Sequence, residues 1–368
     1  MKPKALIILS PGFAADESDT ACLPPQQVFV KALKQTYPDT HLIVLSFHYP
    51  FRRDNYNWHG VQIVSFNGKD WGKGFRLLTW TSVWRQLQLL NKQYRLLGIL
   101  SFWLGECAYV GKRFAKKHQL KHHIWLLGQD AKAGNRFFKR VNPMGDDLIA
   151  LSDFVADSVD RHYGIRPQHT IPVGIEADLF SDTPVKRHID ILGAGSLIPL
   201  KQYHLLIETV RLAVLYFPKL RVVLCGKGPE ENALRDLISQ YKLENNINLL
   251  GEVPHQEVIR LMGQSRVFVH PSEYEGFGSV LAEALYAGAH VVSFCKPMNV
   301  VADQHHVVAD INEMQRRVIG LLQQPKLKHE RILLYSIESI AQQVMELYQT
   351  NDKSRQTSKD TETNNSIT

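Results

Sequence analysis

The chain has 368 residues and a mass of 42.0 kDa, with 44% hydrophobic and 21% charged residues, which points to two domains with ample core and excludes wholesale disorder. No apolar run is long enough to span a membrane: the longest candidate, residues 96–105, is stopped by Arg95 and Glu106. The formal net charge is +7, and residues 1–180 hold 23 Lys/Arg against 15 Asp/Glu while residues 181–368 hold 20 against 21, so the first half is the one suited to an anionic partner: a phosphorylated substrate, a membrane surface or nucleic acid.

Lys2 and Lys4 imitate the start of a signal peptide, but the apolar run 5–9 is too short for its hydrophobic region. Residues 5–10 are predicted instead as a first buried strand. A Gly/Pro/Asp-rich loop follows to Pro25, then a helix at 26–36 and strands at 41–47 and 96–101. A helix at 108–118 and strands at 123–127 and 147–151 complete the first series. Turn-rich stretches at 171–174 and 182–187 read as a linker. The second series is a strand at 190–192, a helix at 204–216 ended by Pro218, a strand at 221–225, a turn at 226–229 and a helix at 230–241. Strands at 248–250, 267–269 and 290–294 close it. Strands alternating with helices imply parallel strands joined by crossovers, and two such series predict two doubly wound α/β domains. Residues 350–368 are polar and predicted to be disordered.

Three further signals have plain readings. Cys22, Cys107, Cys225 and Cys295 form no CxxC pair, which argues against a disulfide scaffold or structural zinc and fits a reducing, cytoplasmic setting. His122-His123 and His305-His306 lack metal-ligand spacing and read as surface or loop histidines. Residues 66–95 combine Trp71, Phe75, Trp80 and Trp84 with Lys69, Lys73, Arg76, Arg85, Lys92 and Arg95. Such a segment either buries its aromatics in a core or lies on anionic lipid. A nucleic-acid partner is not expected, because no recognition module is visible.

The segment richest in chemistry is HPSEYEGFGSVLAEALYAGAHVVSF, residues 270–294. A β-branched strand ends before it, and Gly276-Phe277-Gly278 opens a helix predicted from about Ser279 to Tyr286. Glu275 lies just before that helix and Glu283 two turns inside it, so both can face one cleft. Carboxylates accept hydrogen bonds from sugar or ribose hydroxyls, and amides at a helix start favour phosphate or hydroxyl oxygens. In open α/β sheets such ligands bind beyond the carboxyl ends of the strands. In the first half, Gly12 follows the first strand where backbone can approach a ligand; a flexible turn is the other reading.

Pro271-Ser272, Glu275-Gly276-Phe277-Gly278, Glu283-Ala284 and Gly288 together resemble the E-x7-E signature of retaining glycosyltransferases of the family 4, glycosyl transferases group 1, type. Residues 193–208, 222–238 and 246–262 look like that family's other donor-domain units. Residues 171–180 look like its interdomain crossing, and 336–349 like its final helix. The resemblance implies the GT-B fold, two Rossmann-like domains facing a cleft. It assigns 1–175 to an acceptor-binding domain, 176–333 to a nucleotide-sugar-binding domain and 334–349 to a helix returning to the first domain. It implies transfer of a sugar from a nucleotide-sugar to a glycan or lipid-linked acceptor with retention of configuration, without metal or other cofactor. Peripheral contact with anionic membrane goes with a lipid-linked acceptor.

By the same resemblance, Glu275 would bind hydroxyls of the transferred sugar and Glu283 the ribose. Phe277, Gly278 and Ser279 would offer backbone amides, and Lys201 would meet the donor diphosphate. No covalent nucleophile stands out, so a front-face route fits better than a double displacement. The chain also departs from the pattern. Ser196 stands where the family usually has a phosphate-binding Arg, and residues 295–306 look shortened. Leu127 replaces a His before Gly128-Gln129-Asp130, which leaves Asp130 as the candidate polar contact near the sugar. Ser196 and the short segment 295–306 keep open a non-catalytic or partner-dependent homologue, and the shared two-domain architecture keeps open a nucleotide-sugar epimerase.

Overall fold

The computed structural model of the protein describes residues 2–69, 73–182 and 186–349. The chain forms two compact units. One runs to Gly174 and resumes at Ile337; the other is Ile175–Ser336.

The first unit is built on strands β1 (Lys4–Gly12), β2 (His41–Tyr49), β3 (Arg53–Trp58), β4 (Val61–Phe66), β5 (Arg95–Phe102), β6 (Lys121–Leu126), β7 (Leu148–Ala150) and β8 (His169–Thr170). Its helices are α1 (Pro24–Thr36), α2 (Lys73–Gln93), α3 (Glu106–His118), α4 (Phe137–Val141) and α5 (Asp153–Tyr163). The sheet order is β3-β4-β2-β1-β5-β6-β7-β8. The chain starts in the middle, moves out through β2 and β4, then crosses back to β5 and continues on the other side. Ala5 through Leu9 are all fully buried, the unbroken apolar run of a parallel strand covered on both faces. The antiparallel β3–β4 hairpin was not visible in the hydrophobic pattern, because RDNYNW carries little apolar surface. Its turn is set by His59 and Gly60, both at positive φ (46° and 79°), the geometry that matches strand twist in a two-residue hairpin.

α2 buries Val83, Leu87 and Leu90 along one face. Trp80 packs on Tyr109 and Trp84 on Phe114, at 5.0 and 5.2 Å between ring centres. These two indoles are half-buried and pack against the core; Trp71 and the side chain of Phe75 lie outside the described residues, as does the tail 350–368. The helix at 337–349 belongs to this unit. Tyr348 donates its hydroxyl to the Ile99 carbonyl at 2.9 Å, and Lys121 donates to the Leu347 carbonyl at 2.6 Å.

The second unit has β9 (Ile189–Ala194), β10 (Val222–Cys225), β11 (Ile247–Gly251), β12 (Ser265–His270), β13 (His290–Ser293) and β14 (His305–Val307). Between them run α6 (Tyr203–Ala213), α7 (Glu231–Gln240), α8 (His255–Gln264) and α9 (Ser279–Tyr286), and α10 (Ile311–Leu322) follows β14. The order β11-β10-β9-β12-β13-β14 is parallel throughout. Ile191, Leu224, Val267 and Val292 of the strands meet Leu206 and Val210 of α6 and Met314 and Val318 of α10 in one core. Both units are therefore doubly wound.

Two readings from the sequence are corrected. Arg187 does not lie in a loose linker: its guanidinium donates to the carbonyls of Met262 and Ser265, at 3.3 and 2.5 Å, and of Ala287, at 2.7 Å, so it caps the ends of α8 and α9. The histidine pairs are not surface or loop residues. His122 and His123 are buried in β6, and His305 and His306 form part of β14. A neutral imidazole needs few partners to sit inside a sheet. His122 Nε2 meets Ser101 Oγ at 2.9 Å, His305 Nε2 meets Ser293 Oγ at 2.8 Å, and His306 Nε2 meets His290 Nδ1 at 3.1 Å.

Burial pushes His122 down to about 3 and His123, His305 and His306 down to about 4. The unfolded chain takes up these protons near pH 6.5, whereas the folded chain resists until pH 3–4. Their contribution is therefore complete above pH ~6.5 and is lost progressively as pH falls toward ~4. Urea unfolding across this window is expected to show a loss on the order of a few kcal/mol from the fully buried His122. In His122→Leu the slope of stability against pH is expected to flatten; an unchanged slope would show that His122 does not carry it.

Candidate active site

β9 and β12 are neighbours at the centre of the second sheet. From β9 the chain proceeds to β10 on one side, and from β12 to β13 on the other. The strand order reverses between them, which leaves a crevice at their carboxyl ends. The loop after β9 closes in a short 3-10 turn, Pro199–Lys201. The loop after β12 is pinned to it: the Glu273 N–H and the Ser272 hydroxyl both donate to the Leu200 carbonyl, at 3.0 and 3.3 Å.

This junction joins Lys201 to Glu275. The Lys201 ammonium and His270 Nε2, the latter at 2.7 Å, both donate to Glu275 Oε1. The Lys201 and Glu275 side chains are only 18% and 13% exposed. Burial by itself raises the Glu275 carboxyl, but the His270 hydrogen bond and the Lys201 charge outweigh it and hold the group at about 2. Burial lowers His270, so its imidazole is neutral and donates through Nε2, with Nδ1 buried and without a partner. The result is an ionised, oriented carboxylate at the crevice, able to accept from hydroxyls.

Glu283 sits in α9 and meets His255 Nε2 at the start of α8, at 3.0 Å. That hydrogen bond raises the His255 imidazole above its ordinary value. His255 follows the loop that lines a cavity of about 370 Å³ with Gly195, Ser196, Cys225, Lys227, Glu252 and Val253. The cavity lies at the carboxyl ends of β9, β10 and β11. Gly226 (φ 147°) keeps two of its loops in contact: a Cβ there would lie 1.9 Å from the Gly195 carbonyl oxygen. Ser196 stands exposed on the wall, and Lys227 places a cation on the same wall.

α9 begins at Ser279, as the sequence pattern predicts, and Gly278 precedes it at φ 69°. No side chain caps this helix start, so its first amides are open to a ligand oxygen. A Cβ on Gly278 would also crowd Leu281 at 3.1 Å, which makes glycine the fitting residue. The Phe277 ring is buried and packs on Tyr335 at 5.7 Å, leaving only its backbone for a ligand.

Gly12 and Asp130 belong to the first unit. Gly12 ends β1 in close approach to Cys22 and Tyr49, which a Cβ would meet at 3.2 and 3.4 Å. Asp130 is buried and accepts the Leu127 N–H at 2.9 Å, closing the turn Gly128–Ala131. Burial raises its carboxyl to about 7.

Four residues of the second unit escaped the sequence reading. His270 orients Glu275, His255 meets Glu283, Lys227 supplies charge to the cavity, and the buried Tyr203 hydroxyl has no partner beside Gly195. A polar residue ending the apolar strand RVFV was the one available signal for His270. Among the described residues, no group of His, Cys, Asp and Glu has metal-holding geometry.

Comparison with known proteins matches the second unit to a family model. Residues 175–333 match the model described as glycosyl transferases group 1. The gpi3 subunit of phosphatidylinositol N-acetylglucosaminyltransferase from Schizosaccharomyces pombe is 33% identical over 203 residues, covering 53% of this chain and 44% of the relative. The GtfA subunit of a Streptococcus pneumoniae UDP-N-acetylglucosamine–peptide N-acetylglucosaminyltransferase is 28% identical over 157 residues, 41% of this chain and 31% of the relative. The chain thus matches less than half the length of these relatives. Among solved structures, sucrose-phosphate synthase from Thermosynechococcus elongatus superposes with a TM-score of 0.68 at 18% identity, covering 96% of this chain and 100% of that one. Anabaena HepE, in complex with UDP and glucose, gives 0.62 at 16% identity over 96% and 99%. These likenesses show the GT-B fold.

Removing Lys201 leaves a buried carboxylate short of its cation, which typically costs about 3–5 kcal/mol. Lys201→Met is therefore expected to lower stability by about 3 kcal/mol, and adding Glu275→Gln is expected to recover much of it. Chemical unfolding of the two single variants and the double variant checks this. Strictly additive losses would show that the pair is not coupled.

Proposed function

We propose that this protein is a retaining glycosyltransferase that moves a sugar from a nucleotide-sugar to an acceptor held by the first unit. The observation that carries the reading is the convergence of Lys201, His270 and Glu275 where the strand order of the second sheet reverses. The nucleotide occupies the cavity between Ser196, Lys227 and Val253, and its ribose hydroxyls replace His255 on Glu283. The transferred sugar lies against Glu275, and the diphosphate meets Lys201 and the first amides of α9. As the glycosidic bond breaks, negative charge grows on the leaving diphosphate. Lys201 and the helix start are already placed to stabilise it without reorganisation. The acceptor hydroxyl attacks from the face the diphosphate leaves, and a phosphate oxygen takes its proton.

A uridine diphosphate sugar is the first donor to test, since HepE binds UDP and glucose and the GtfA enzyme is named for UDP-N-acetylglucosamine. The gpi3 relative's name includes phosphatidylinositol, which favours a lipid-linked acceptor and, with it, peripheral contact with anionic membrane. In the first unit, Asp130 is the candidate polar contact near the sugar and Gly12 the candidate close backbone approach. A second reading, a homologue that binds without turnover, is favoured by Ser196 standing where a phosphate-binding Arg is usual; Lys227 offers a replacement charge.

Release of UDP from UDP-glucose and UDP-N-acetylglucosamine, with and without acceptor, distinguishes transfer from binding alone. Glu275→Gln is expected to lower turnover about 10²–10³-fold, the scale of one lost transition-state contact. Glu283→Ala is expected to weaken UDP and UDP-sugar alike by calorimetry, whereas Glu275→Gln weakens mainly the UDP-sugar. Glu275→Gln turnover within a few-fold of wild type, or identical ligand profiles for the two variants, would overturn these assignments.

A further inference from the structure

We infer that the outer face of α2 and α3 in the first unit docks on an anionic lipid bilayer. This rests on the surface alone and holds whether or not the transfer reading does.

Charge is concentrated here to an unusual degree. Residues 71–129 contain ten Lys/Arg and a single acidic residue, Glu106. That surplus of nine exceeds the +7 of the whole chain, so the rest of the sequence is slightly acidic. Glu106 pairs with Arg76, and Lys112 with Asp147, so the charge left facing water on the two helices is that of the exposed Arg85, Lys92, Arg113, Lys116 and Lys117.

The two helices present one continuous face. Trp80 against Tyr109 and Trp84 against Phe114 lock α2 to α3, and the Lys117 ammonium of α3 stands 5.8 Å over the Trp84 ring of α2. With the indoles turned inward, leucines remain outside: Leu77, Leu78 and Leu89 are 58–59% exposed. Leu78, Arg85, Leu89 and Lys92 follow the helical period, so they share one stripe. Arg113, Lys116 and Lys117 extend the basic rim along α3, all exposed. Among the described residues, no carboxylate pairs with Arg85, Lys92, Lys116 or Lys117.

Exposed leucines ringed by unpaired cations select the occupant. A nucleic acid or an acidic protein rewards the charges but leaves the leucines in water. A bilayer rewards both: the leucines enter the headgroup–acyl boundary while the long basic side chains reach lipid phosphates. No helix of the described residues is long and apolar enough to cross a membrane, so the contact is peripheral.

Vesicle co-sedimentation of the full chain tests this, using phosphatidylcholine with and without phosphatidylglycerol. Binding is expected only with the anionic lipid, and is expected to weaken as salt rises. Lys116→Glu with Lys117→Glu is expected to lower the partition coefficient about tenfold or more. Leu78→Ser with Leu89→Ser is expected to lower it at every salt concentration. Unchanged thermal unfolding shows that the variants remain folded. Equal binding to neutral and anionic vesicles, or binding to neither, overturns the inference. So does loss of binding on charge reversal with no effect of the leucine pair. Retention on single-stranded RNA without vesicle binding would assign the face to nucleic acid.

Discussion

Lys201, His270 and Glu275 meet because two adjacent parallel strands send their following chains to opposite sides of the sheet. β9 and β12 pair directly, yet β9 leads to β10 and β12 leads to β13 on the far side. A polar crevice at that point follows from topology before any side chain is chosen. Side-chain chemistry then determines what it can hold. A buried carboxylate is costly unless it is paired, and here two donors converge on one oxygen of Glu275. One donor is a cation and the other a neutral imidazole, so the carboxylate stays ionised and fixed in orientation. His270 approaches from the strand and Lys201 from the opposing loop. A diphosphate can therefore draw Lys201 toward itself while His270 still holds Glu275.

The same logic bears on the missing arginine. By the resemblance, Ser196 stands where an arginine is usual in the loop after β9, and Lys227 from the loop after β10 lines the same cavity. A lysine compensates charge but lacks the bidentate fork of arginine. In the proposed reading, a diphosphate near that cavity would meet charge without the fork. Gly226 maintains the close contact between these loops that makes such an exchange of positions workable.

The first unit repeats the winding with a different outcome. Its sheet carries an added antiparallel edge strand, and its turns at Gly12 and Asp130 are engaged with the chain's own atoms. Its distinguishing property is on the outside, where α2 and α3 carry eight Lys/Arg against a single acidic residue and leave leucines exposed. Trp80 and Trp84 join those helices. An aromatic ring between two packed helices buries far more apolar area than it would at a surface, so the leucines are left facing out.

The sequence by itself determined the two doubly wound units, the start of α9 at Ser279 and the pair Glu275 and Glu283. Each is written in local pattern: unbroken apolar runs for parallel strands, a glycine that tolerates positive φ before a helix, and fixed spacing between carboxylates. Only the tertiary structure decided which distant groups meet those carboxylates, because Lys201 and His255 are brought to them by strand order and loop packing that no local window contains; His270 is near Glu275 in sequence, but the fold of the loop between them decides that they meet. It also decided the fate of the histidine pairs and of Arg187. A neutral imidazole or a capping guanidinium is read as polar in sequence, yet is stable inside once a hydroxyl, a second imidazole or a helix-end carbonyl is delivered by another part of the chain. Likewise the basic surplus of residues 1–180 and the basic, aromatic segment 66–95 were legible in the sequence, but which side chains face water depended on how α2 docks against α3.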